Sequence, residues 1–351
     1  MKKQLFMLAF AGMAILSACN EETMLNEKEH IAYASVTLSN ETNAKSTITT
    51  TEAQDSTFIY ADVFVFNSEG NLDGYKHMTS KSEAIQATAG EKTIYAVVNA
   101  HNLVVNSIQN ETQFNNTIAL LQDENSENFT LVGSTQATLS TEAPTPVIMA
   151  VSRLVAKIEL QSLTVNFAGT PLAGKSLSNV EIYLTNVPNQ MNFSGTSSGS
   201  VNGSTWDADG NLTMANIIAD DVHNVIADGS QAPSSHYFFP YQKYSVNELS
   251  GSDCIRMIIK AGLDADGDNI SEIYYWSIPI NCAGKGGQNV ESADHYGVKS
   301  NYRYIYDVVI TRQGISADEE DPENSDIKYA MASSSLTIVP WKVGIDADVN
   351  F

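Results

Sequence analysis

Three alternating aspartates are the first candidates for chemistry, because carboxylates at such spacing can bind calcium. They are Asp264, Asp266 and Asp268. A calcium loop of the EF-hand type also needs glycine directly after the third acid and glutamate at its twelfth position. This chain has Asn269 and Tyr275 at those places. We therefore expect a hairpin turn rather than a metal site, with a single calcium in a looser loop as the alternative.

Other catalytic and metal-binding patterns are missing from the sequence. The six histidines form no pair at metal-ligand spacing, and no Gly-x-Ser-x-Gly elbow, Walker loop or dinucleotide fingerprint occurs. No carboxylate pair lies in a recognisable glycosidase context. We therefore expect no enzyme activity, no catalytic or cofactor-binding residues, no metal and no cofactor.

Two of the three cysteines flank a predicted hairpin. Cys254 and Cys282 are symmetric about Asp268, and strand-like sequences cover residues 255–260 and 273–280. Residues in such positions of an antiparallel pair come close enough for a disulfide. The alternatives are a Cys254–Cys282 disulfide and two buried free thiols.

The remaining cysteine, Cys19, ends a segment typical of secretory signal peptides. Lys2 and Lys3 give a charged start, residues 5–16 form an apolar run too short to span a bilayer, and small residues follow. The tetrapeptide Leu-Ser-Ala-Cys resembles the lipobox of bacterial lipoproteins, which is cut just before the cysteine. The resemblance implies a lipoprotein signal peptide over residues 1–18 and acylation of Cys19, whose acyl chains would hold the protein on a membrane. The alternative is a plain signal peptide.

The charge and composition exclude some partners and favour one fold class. The chain has 19 basic and 41 acidic residues and a formal charge of −22, which argues against nucleic-acid binding because phosphate contacts need clustered Lys and Arg. Ser, Thr and Asn are frequent, β-branched and aromatic residues are abundant, and long runs of helix formers are scarce. This composition predicts an extracytoplasmic β protein.

The first strand-like segment precedes a polar loop with a single basic residue. Ala32, Ala34, Val36 and Leu38 alternate with polar or aromatic residues, which is the period of a strand. Polar, threonine-rich sequence follows without periodicity, as in a flexible loop. Lys45 is its only basic residue, and an isolated cation on such a loop is accessible to a trypsin-like protease.

Further along the chain, many short strand patterns are separated by Gly, Asn and Asp clusters, which indicates β-sandwiches. One helix is predicted over residues 112–121, with Thr112 as its cap and Phe114, Ile118 and Leu121 on one face.

The C-terminal sequence alternates strictly. Apolar residues occupy every second position from Trp341 to Phe351. Leu336 and Ile338 alternate in the opposite phase, and Pro340 offers a break between two strands. The alternatives are an edge strand of the chain's own sandwich and a strand that another molecule covers.

Taken together and in their order along the chain, these features resemble the fimbrillins of Bacteroidales, the shaft subunits of type V pili. Four segments carry the resemblance, residues 60–72, 93–102, 152–158 and 301–310. The first two look like core strands of the family's first domain, although His101 interrupts the usual ending of the second. The others look like the opening strand and a late core strand of the second domain.

The resemblance implies an all-β fold of two tandem β-sandwich domains, transthyretin-like or immunoglobulin-like with Greek-key connections, and few short helices. It divides the chain into the signal peptide, a lipidated propeptide with a removable strand (residues 19–45), an N-terminal domain (46–150) and a C-terminal domain (151–351). The C-terminal domain would end in donor strands at about residues 330–351.

The resemblance also implies how the subunit assembles. A protease cuts between Lys45 and Ser46, the first strand leaves with the lipid, and a neighbour's C-terminal strand fills the groove. This head-to-tail contact does not close, so it produces a fibre. The residues assigned to the donor strand are Leu336, Ile338, Trp341, Val343, Ile345, Val349 and Phe351. The family's best-known members are cut after Arg, whereas this chain offers Lys.

We therefore expect an outer-membrane lipoprotein precursor that becomes a subunit of a cell-surface fimbria with a role in adhesion. The expected partners are identical or related subunits, the outer membrane before processing and surface receptors, but not nucleic acid. One alternative is the uncut anchor subunit of a fimbria. Another is a non-polymerising lipoprotein that binds glycan or a host ligand through Trp206, Tyr237 and Trp276, although sandwich cores also bury aromatic residues.

Overall fold

The computed structural model describes residues 30–40, 58–203, 214, 217–221, 225–232, 235–249, 253–282, 295–323 and 332–341. Most of these residues lie in strands or in the turns between them, so the all-β prediction is confirmed. In the described ranges, no helix is long and apolar enough to cross a membrane.

The strands of the N-terminal part form one path that closes on itself. They are β1 (Ile31–Asn40), β2 (Ala61–Asn67), β3 (Leu72–Met78), β4 (Ser82–Thr88), β5 (Gly90–Val98), β6 (Ile118–Leu120), β7 (Leu131–Leu139) and β8 (Thr145–Arg153). Neighbouring strands pair in the order β3-β2-β5-β7-β8-β1-β4, and the end strands β3 and β4 contact each other. Only β6 pairs elsewhere. The path encloses an apolar core to which β1, β2, β4, β5, β7 and β8 all contribute buried side chains.

A glycine allows this path to turn a corner between β7 and β8. The two strands pair only at Leu131 with Arg153 and at Val132 with Ser152. A Cβ atom at Gly133 would overlap the carbonyl oxygen of Ala150. Only a residue without a side chain lets the two backbones approach so closely at this point.

We call the closed path of the N-terminal part the N-terminal sandwich, and the C-terminal part forms a second sandwich. Its strands are β9 (Lys157–Val165), β10 (Ser176–Thr185), β11 (Gln190–Asn192), β12 (Ser197–Ser198), β13 (Ala219–Asp221), β14 (Ile226–Ala227), β15 (His236–Phe238), β16 (Lys243–Ser245), β17 (Arg256–Leu263), β18 (Glu272–Pro279), β19 (Tyr296–Val298), β20 (Tyr302–Ile310), β21 (Ile315–Ser316) and β22 (Ala332–Pro340).

Two main sheets build this sandwich. One has the order β13-β10-β17-β18-β21, with β14 also on β10, and the other has the order β15-β9-β20-β22. In the second sheet β9 and β20 are parallel, whereas β15 and β22 are antiparallel to their neighbours. Both sheets contribute to one apolar core. Since β8 ends at Arg153 and β9 begins at Lys157, the chain passes between the sandwiches at residues 154–156.

The two sandwiches share an apolar junction. Strand β2 is buried on both faces: Val63 and Val65 belong to the N-terminal core, whereas Phe64 and Phe66 belong to the core that continues into the C-terminal part. Phe114 stands against both phenylalanines, and its ring centroid lies 5.3 Å from that of Phe193. The C-terminal core therefore extends onto the second face of β2, and apolar contacts join the two parts at this point.

A buried carboxyl reinforces this junction. Glu124, from the N-terminal part, accepts a hydrogen bond at 2.9 Å from the hydroxyl of Tyr241, from the C-terminal part, and another at 3.0 Å from the backbone N–H of Thr130. Burial raises the pKa of the Glu124 carboxyl, because desolvation disfavours its charged form. The two hydrogen bonds satisfy a group that would otherwise be costly to bury.

The predicted helix over residues 112–121 is too long. Helix α1 (Glu111–Asn115) is one turn with Asn110 as its cap, whose side chain accepts the N–H of Gln113 at 2.9 Å. The chain then enters β6, which pairs with β11 of the C-terminal part. Ile118, expected on the buried face, is 53% exposed. Pairing with a distant strand outweighs the local helical pattern.

The predicted hairpin consists of β17 and β18. Arg256 lies opposite Pro279, so the symmetry axis falls between residues 267 and 268. Continued outward, this register puts Cys254 opposite Asn281 rather than opposite Cys282. The structure nevertheless joins Cys254 to Cys282 by a disulfide, with their Cα atoms 6.5 Å apart.

Replacing both cysteines of this hairpin by alanine should lower the free energy of unfolding by about 3 kcal/mol, because the bond closes a loop of intermediate length in the unfolded chain. Thermal unfolding followed by circular dichroism should show a midpoint roughly 5–10 °C lower. Dithiothreitol should lower the unfolding midpoint of the parent protein by a similar amount and leave the midpoint of the double variant unchanged. Equal midpoints of the parent with and without reductant would contradict the bond.

Candidate assembly groove

The N-terminal strand β1 lies between two walls of the N-terminal sandwich. It pairs antiparallel with β4, from Ile31 opposite Thr88 to Thr37 opposite Ser82. On its other side it pairs parallel with β8, and its last residue there is Asn40. A strand from the beginning of the chain thus occupies an interior position of the sheet.

Four side chains of β1 point into the core. Ala32, Ala34, Val36 and Leu38 are 1%, 0%, 0% and 4% exposed. The intervening residues face outward, and Tyr33 is 43% exposed. This alternation follows from the period of two in a pleated strand, and it confirms the strand expected from the sequence.

Few side-chain interactions hold β1 in place. The hydroxyl groups of Thr37 and Ser82 lie 2.9 Å apart, and the hydroxyl of Ser39 donates to the carbonyl of Met149 at 3.3 Å. Among the described residues, no ion pair involves β1. Backbone pairing and the burial of four small or medium side chains therefore account for its attachment.

Loss of β1 would leave a groove. The edges of β4 and β8 that now pair with β1 would present unpaired N–H and C=O groups, and the floor would be apolar. Such an edge is a template for another strand. The groove therefore has the properties of a binding site for an extended peptide with apolar residues at alternate positions.

The residues expected to be processed lie outside the described ranges. They are Cys19, Lys45 and Ser46. In the sequence, Lys45 follows the last residue of β1, Asn40, by five positions. Lipidation and cleavage therefore stay predictions.

Part of the expected donor strand pairs within its own chain. Strand β22 runs antiparallel to β20, with Leu336 opposite Tyr306 and Ile338 opposite Tyr304. Leu336 and Ile338 are half-buried and pack against the C-terminal core. In this structure, these two side chains therefore belong to the chain's own sandwich.

Trp341, directly after β22, is anchored at the junction. It is 1% exposed, and the guanidinium of Arg153 lies 3.9 Å from its ring centroid. The rings of Phe129 and Phe239 lie 5.7 and 5.9 Å away. Its backbone N–H donates to the carbonyl of Asn301 at 2.8 Å. The other expected donor residues, Val343, Ile345, Val349 and Phe351, lie outside the described ranges.

The aromatic residues considered for glycan binding do not form a common surface in the described structure. Trp276 is buried, and its indole N–H donates to the carbonyl of Arg312 at 3.1 Å. Tyr237 is 42% exposed, with the ammonium of Lys157 4.8 Å from its ring centroid. Trp206 lies outside the described residues.

The three alternating aspartates lie in the β17–β18 turn, with carboxylate oxygens within 4.8 Å of one another. Asp264 pairs with Lys175 at 2.6 Å and accepts the N–H of Gly267. Asp266 and Asp268 each accept a backbone N–H two residues ahead. All three carboxylates therefore stabilise the turn, as expected from the sequence.

Sequence reasoning missed two parts of this site. Strand β4 was not recognised, although Ile85 and Ala87 alternate with exposed residues and gave a weak signal. The contact between Arg153 and Trp341 was also missed. The two residues are 188 positions apart, so no local sequence pattern predicts their contact.

Comparison with known proteins identifies the family. The family described as "Fimbrium tip subunit Fim1C-like, C-terminal domain" matches residues 154–341, more than half of the chain. Comparison with curated proteins gives no sequence match.

Three solved structures share the fold. A Parabacteroides distasonis protein with an ascribed role in cell adhesion is 17% identical, with a TM-score of 0.65 over 91% of this chain and 99% of that chain. A Bacteroides eggerthii protein with a similarly ascribed role is 15% identical, with a TM-score of 0.64 over 90% and 97%. A fimbrilin of Porphyromonas gingivalis W83 is 15% identical, with a TM-score of 0.63 over 90% and 98%.

The predicted resemblance to Bacteroidales fimbrillins is thereby confirmed, as is the role of a structural fimbrial subunit. Such subunits are located in fimbriae at the cell surface and assemble with other fimbrial subunits. By its sequence match and its fold, the chain belongs to the Fim1C-like fimbrium tip subunit family.

Proposed function

We propose that the chain is exported as a lipoprotein acylated at Cys19 and joins a fimbria by exchanging β1 for the C-terminal strand of a neighbouring subunit. The supporting observation is the position of β1, which pairs with β4 on one side and β8 on the other without any ion pair among the described residues. A protease cuts between Lys45 and Ser46, which frees β1 together with the lipid.

This arrangement gives the cut a defined consequence. Before the cut, β1 is covalently attached, so its effective concentration at the groove is high. After the cut, dissociation of β1 is no longer opposed by a tether. The open groove then has two unpaired edges and an apolar floor, which favour a new strand.

The burial of Trp341 supports a division of the donor region into two parts. Leu336, Ile338 and Trp341 form a stem that stays with its own sandwich, since β22 is paired along its length and Trp341 is enclosed by aromatic rings and Arg153. The inserting residues are those after Trp341, which include Val343, Ile345, Val349 and Phe351. A subunit within the fibre uses both its groove and its tail, whereas a terminal subunit needs only one of them.

Limited digestion of the purified precursor with trypsin should release the segment that ends at Lys45 and start polymerisation. Mass spectrometry of the released peptide and a gel run in mild detergent without boiling should show the fragment and a ladder of oligomers. A Lys45→Ala variant is the matched control, because it keeps the loop polar but removes the cleavage site. An equal ladder from Lys45→Ala would contradict cleavage at this residue.

Deletion of residues 343–351 should abolish the ladder after trypsin treatment while leaving the monomer folded, because the described contacts of Trp341 remain. Circular dichroism and thermal unfolding should match the parent within about 2 °C, since all the described residues and their contacts are kept. Mixing the deleted protein with excess parent should give chains that terminate early. If the deleted protein polymerises as well as the parent, the tail is not the donor.

A further inference from the structure

We propose that the donor tail of a second copy enters the groove in the direction opposite to β1, with Ala347 in the place of Ala34. This inference rests on the strand exchange proposed above and adds its direction and register. Position by position, the replacements are Val343 for Leu38, Ile345 for Val36, Ala347 for Ala34 and Val349 for Ala32.

The groove demands a small residue at one position. Ala34 is fully buried and lies opposite Ile85 of β4, a large β-branched residue that is itself 1% exposed. Ala32 lies opposite Ala87, so two small residues share that part of the groove. A larger side chain therefore fits more easily at the place of Ala32 than at the place of Ala34.

The other end of the groove is larger. Val36 lies beside Val147 of β8, and Leu38 beside Met149. Both β1 side chains are branched aliphatic groups that are nearly fully buried. Two medium or large aliphatic residues are therefore needed there, since smaller ones would leave cavities.

In the reversed direction, the tail meets these demands. Ala347, the single small residue among the tail's alternating apolar positions, falls opposite Ile85, and Val349 takes the place with the small neighbour Ala87. Val343 and Ile345 fill the larger end. Each replacement conserves the aliphatic character, and none puts a bulky group against Ile85.

The direction of β1 itself gives a poorer fit. With Ala347 again in the place of Ala34, it would put Ile345 in the place of Ala32 and Phe351 in the place of Leu38. A shift by two residues would instead bring Ile345 opposite Ile85. Both arrangements overpack a filled core, which is unfavourable.

The backbone accepts the reversed strand. β4 and β8 flank β1 with opposite orientations, because one pairs antiparallel and the other parallel. A reversed strand therefore still pairs with both walls, now parallel to β4 and antiparallel to β8. Side-chain fit, rather than backbone pairing, decides the direction.

Disulfide cross-linking tests the direction. Ile148 of β8 lies opposite Thr37 of β1 and is 73% exposed, so a cysteine there is accessible. A reversed tail brings Gly344 to the place of Thr37, whereas a tail in the direction of β1 brings Asn350 there. Two double variants, Ile148→Cys with Gly344→Cys and Ile148→Cys with Asn350→Cys, are made in full-length Cys19→Ser precursor, treated with trypsin and mildly oxidised.

We expect the Gly344→Cys pair to give a ladder that survives boiling without reductant and disappears with dithiothreitol, and the Asn350→Cys pair to give none. The opposite pattern would overturn the direction. A cross-linked monomer would show that the tail fills the groove of its own chain. This would overturn the proposal that a second copy supplies the tail. A detergent-resistant ladder without either cross-link would overturn the register. The absence of any ladder would refute strand exchange itself. Single-cysteine variants control for disulfide exchange with Cys254 and Cys282.

Side-chain size tests the register independently. An Ala347→Leu substitution should slow ladder formation about tenfold or more, because it overpacks the position opposite Ile85. A Val343→Leu substitution adds the same kind of bulk but restores the leucine that β1 carries at that place, so its rate should match the parent within about twofold. Equal rates for the two variants would overturn the assignment of Ala347.

Discussion

Backbone pairing of β1 on both sides is the constraint on which the assembly of this molecule depends. A strand at the edge of a sheet can leave with little consequence, but β1 separates β4 from β8. Its departure leaves donors and acceptors along both walls without protein partners, and each of these that water does not reach costs about 1–3 kcal/mol. The empty groove is therefore a high-energy state that only another strand relieves, and this makes the replacement strand obligatory.

A second constraint is that the donor must be rooted in a rigid part of its own chain. Trp341 fixes the start of the tail, because it packs against Arg153 and two phenylalanine rings at the point where the two sandwiches meet. The junction is held by the Phe114–Phe193 contact and by the hydrogen bond between Tyr241 and Glu124. Tension along a fibre would thus pass from the groove through the paired strands of the N-terminal part and the packed junction to Trp341, rather than through a flexible linker.

Local periodicity predicted the parts of this design that depend on single strands. Strand β1 was visible in the sequence because burial on one face of a strand imposes a period of two. The hairpin of β17 and β18 was visible because two strand-like runs flank a segment rich in Asp and Gly. Contacts between distant segments were not visible. Residues 118–120 continue a helical pattern but pair with β11, and Trp341 continues the tail's alternation but is held by Arg153. In both cases the partner that decides the structure is far away in the sequence.

The small side chains of β1 explain how cleavage can drive exchange forward. Relative to β1, the reversed tail places valine where Ala32 lies and isoleucine where Val36 lies, and it loses one carbon where Leu38 lies. At about 0.8 kcal/mol per buried methylene, this net gain favours the tail by about 1–2 kcal/mol. Before the cut, the covalent tether of β1 outweighs that difference, because an intramolecular strand has a high effective concentration. Cleavage removes the tether and leaves the better-packed strand favoured, so a weakly packed β1 protects the groove without blocking its final use.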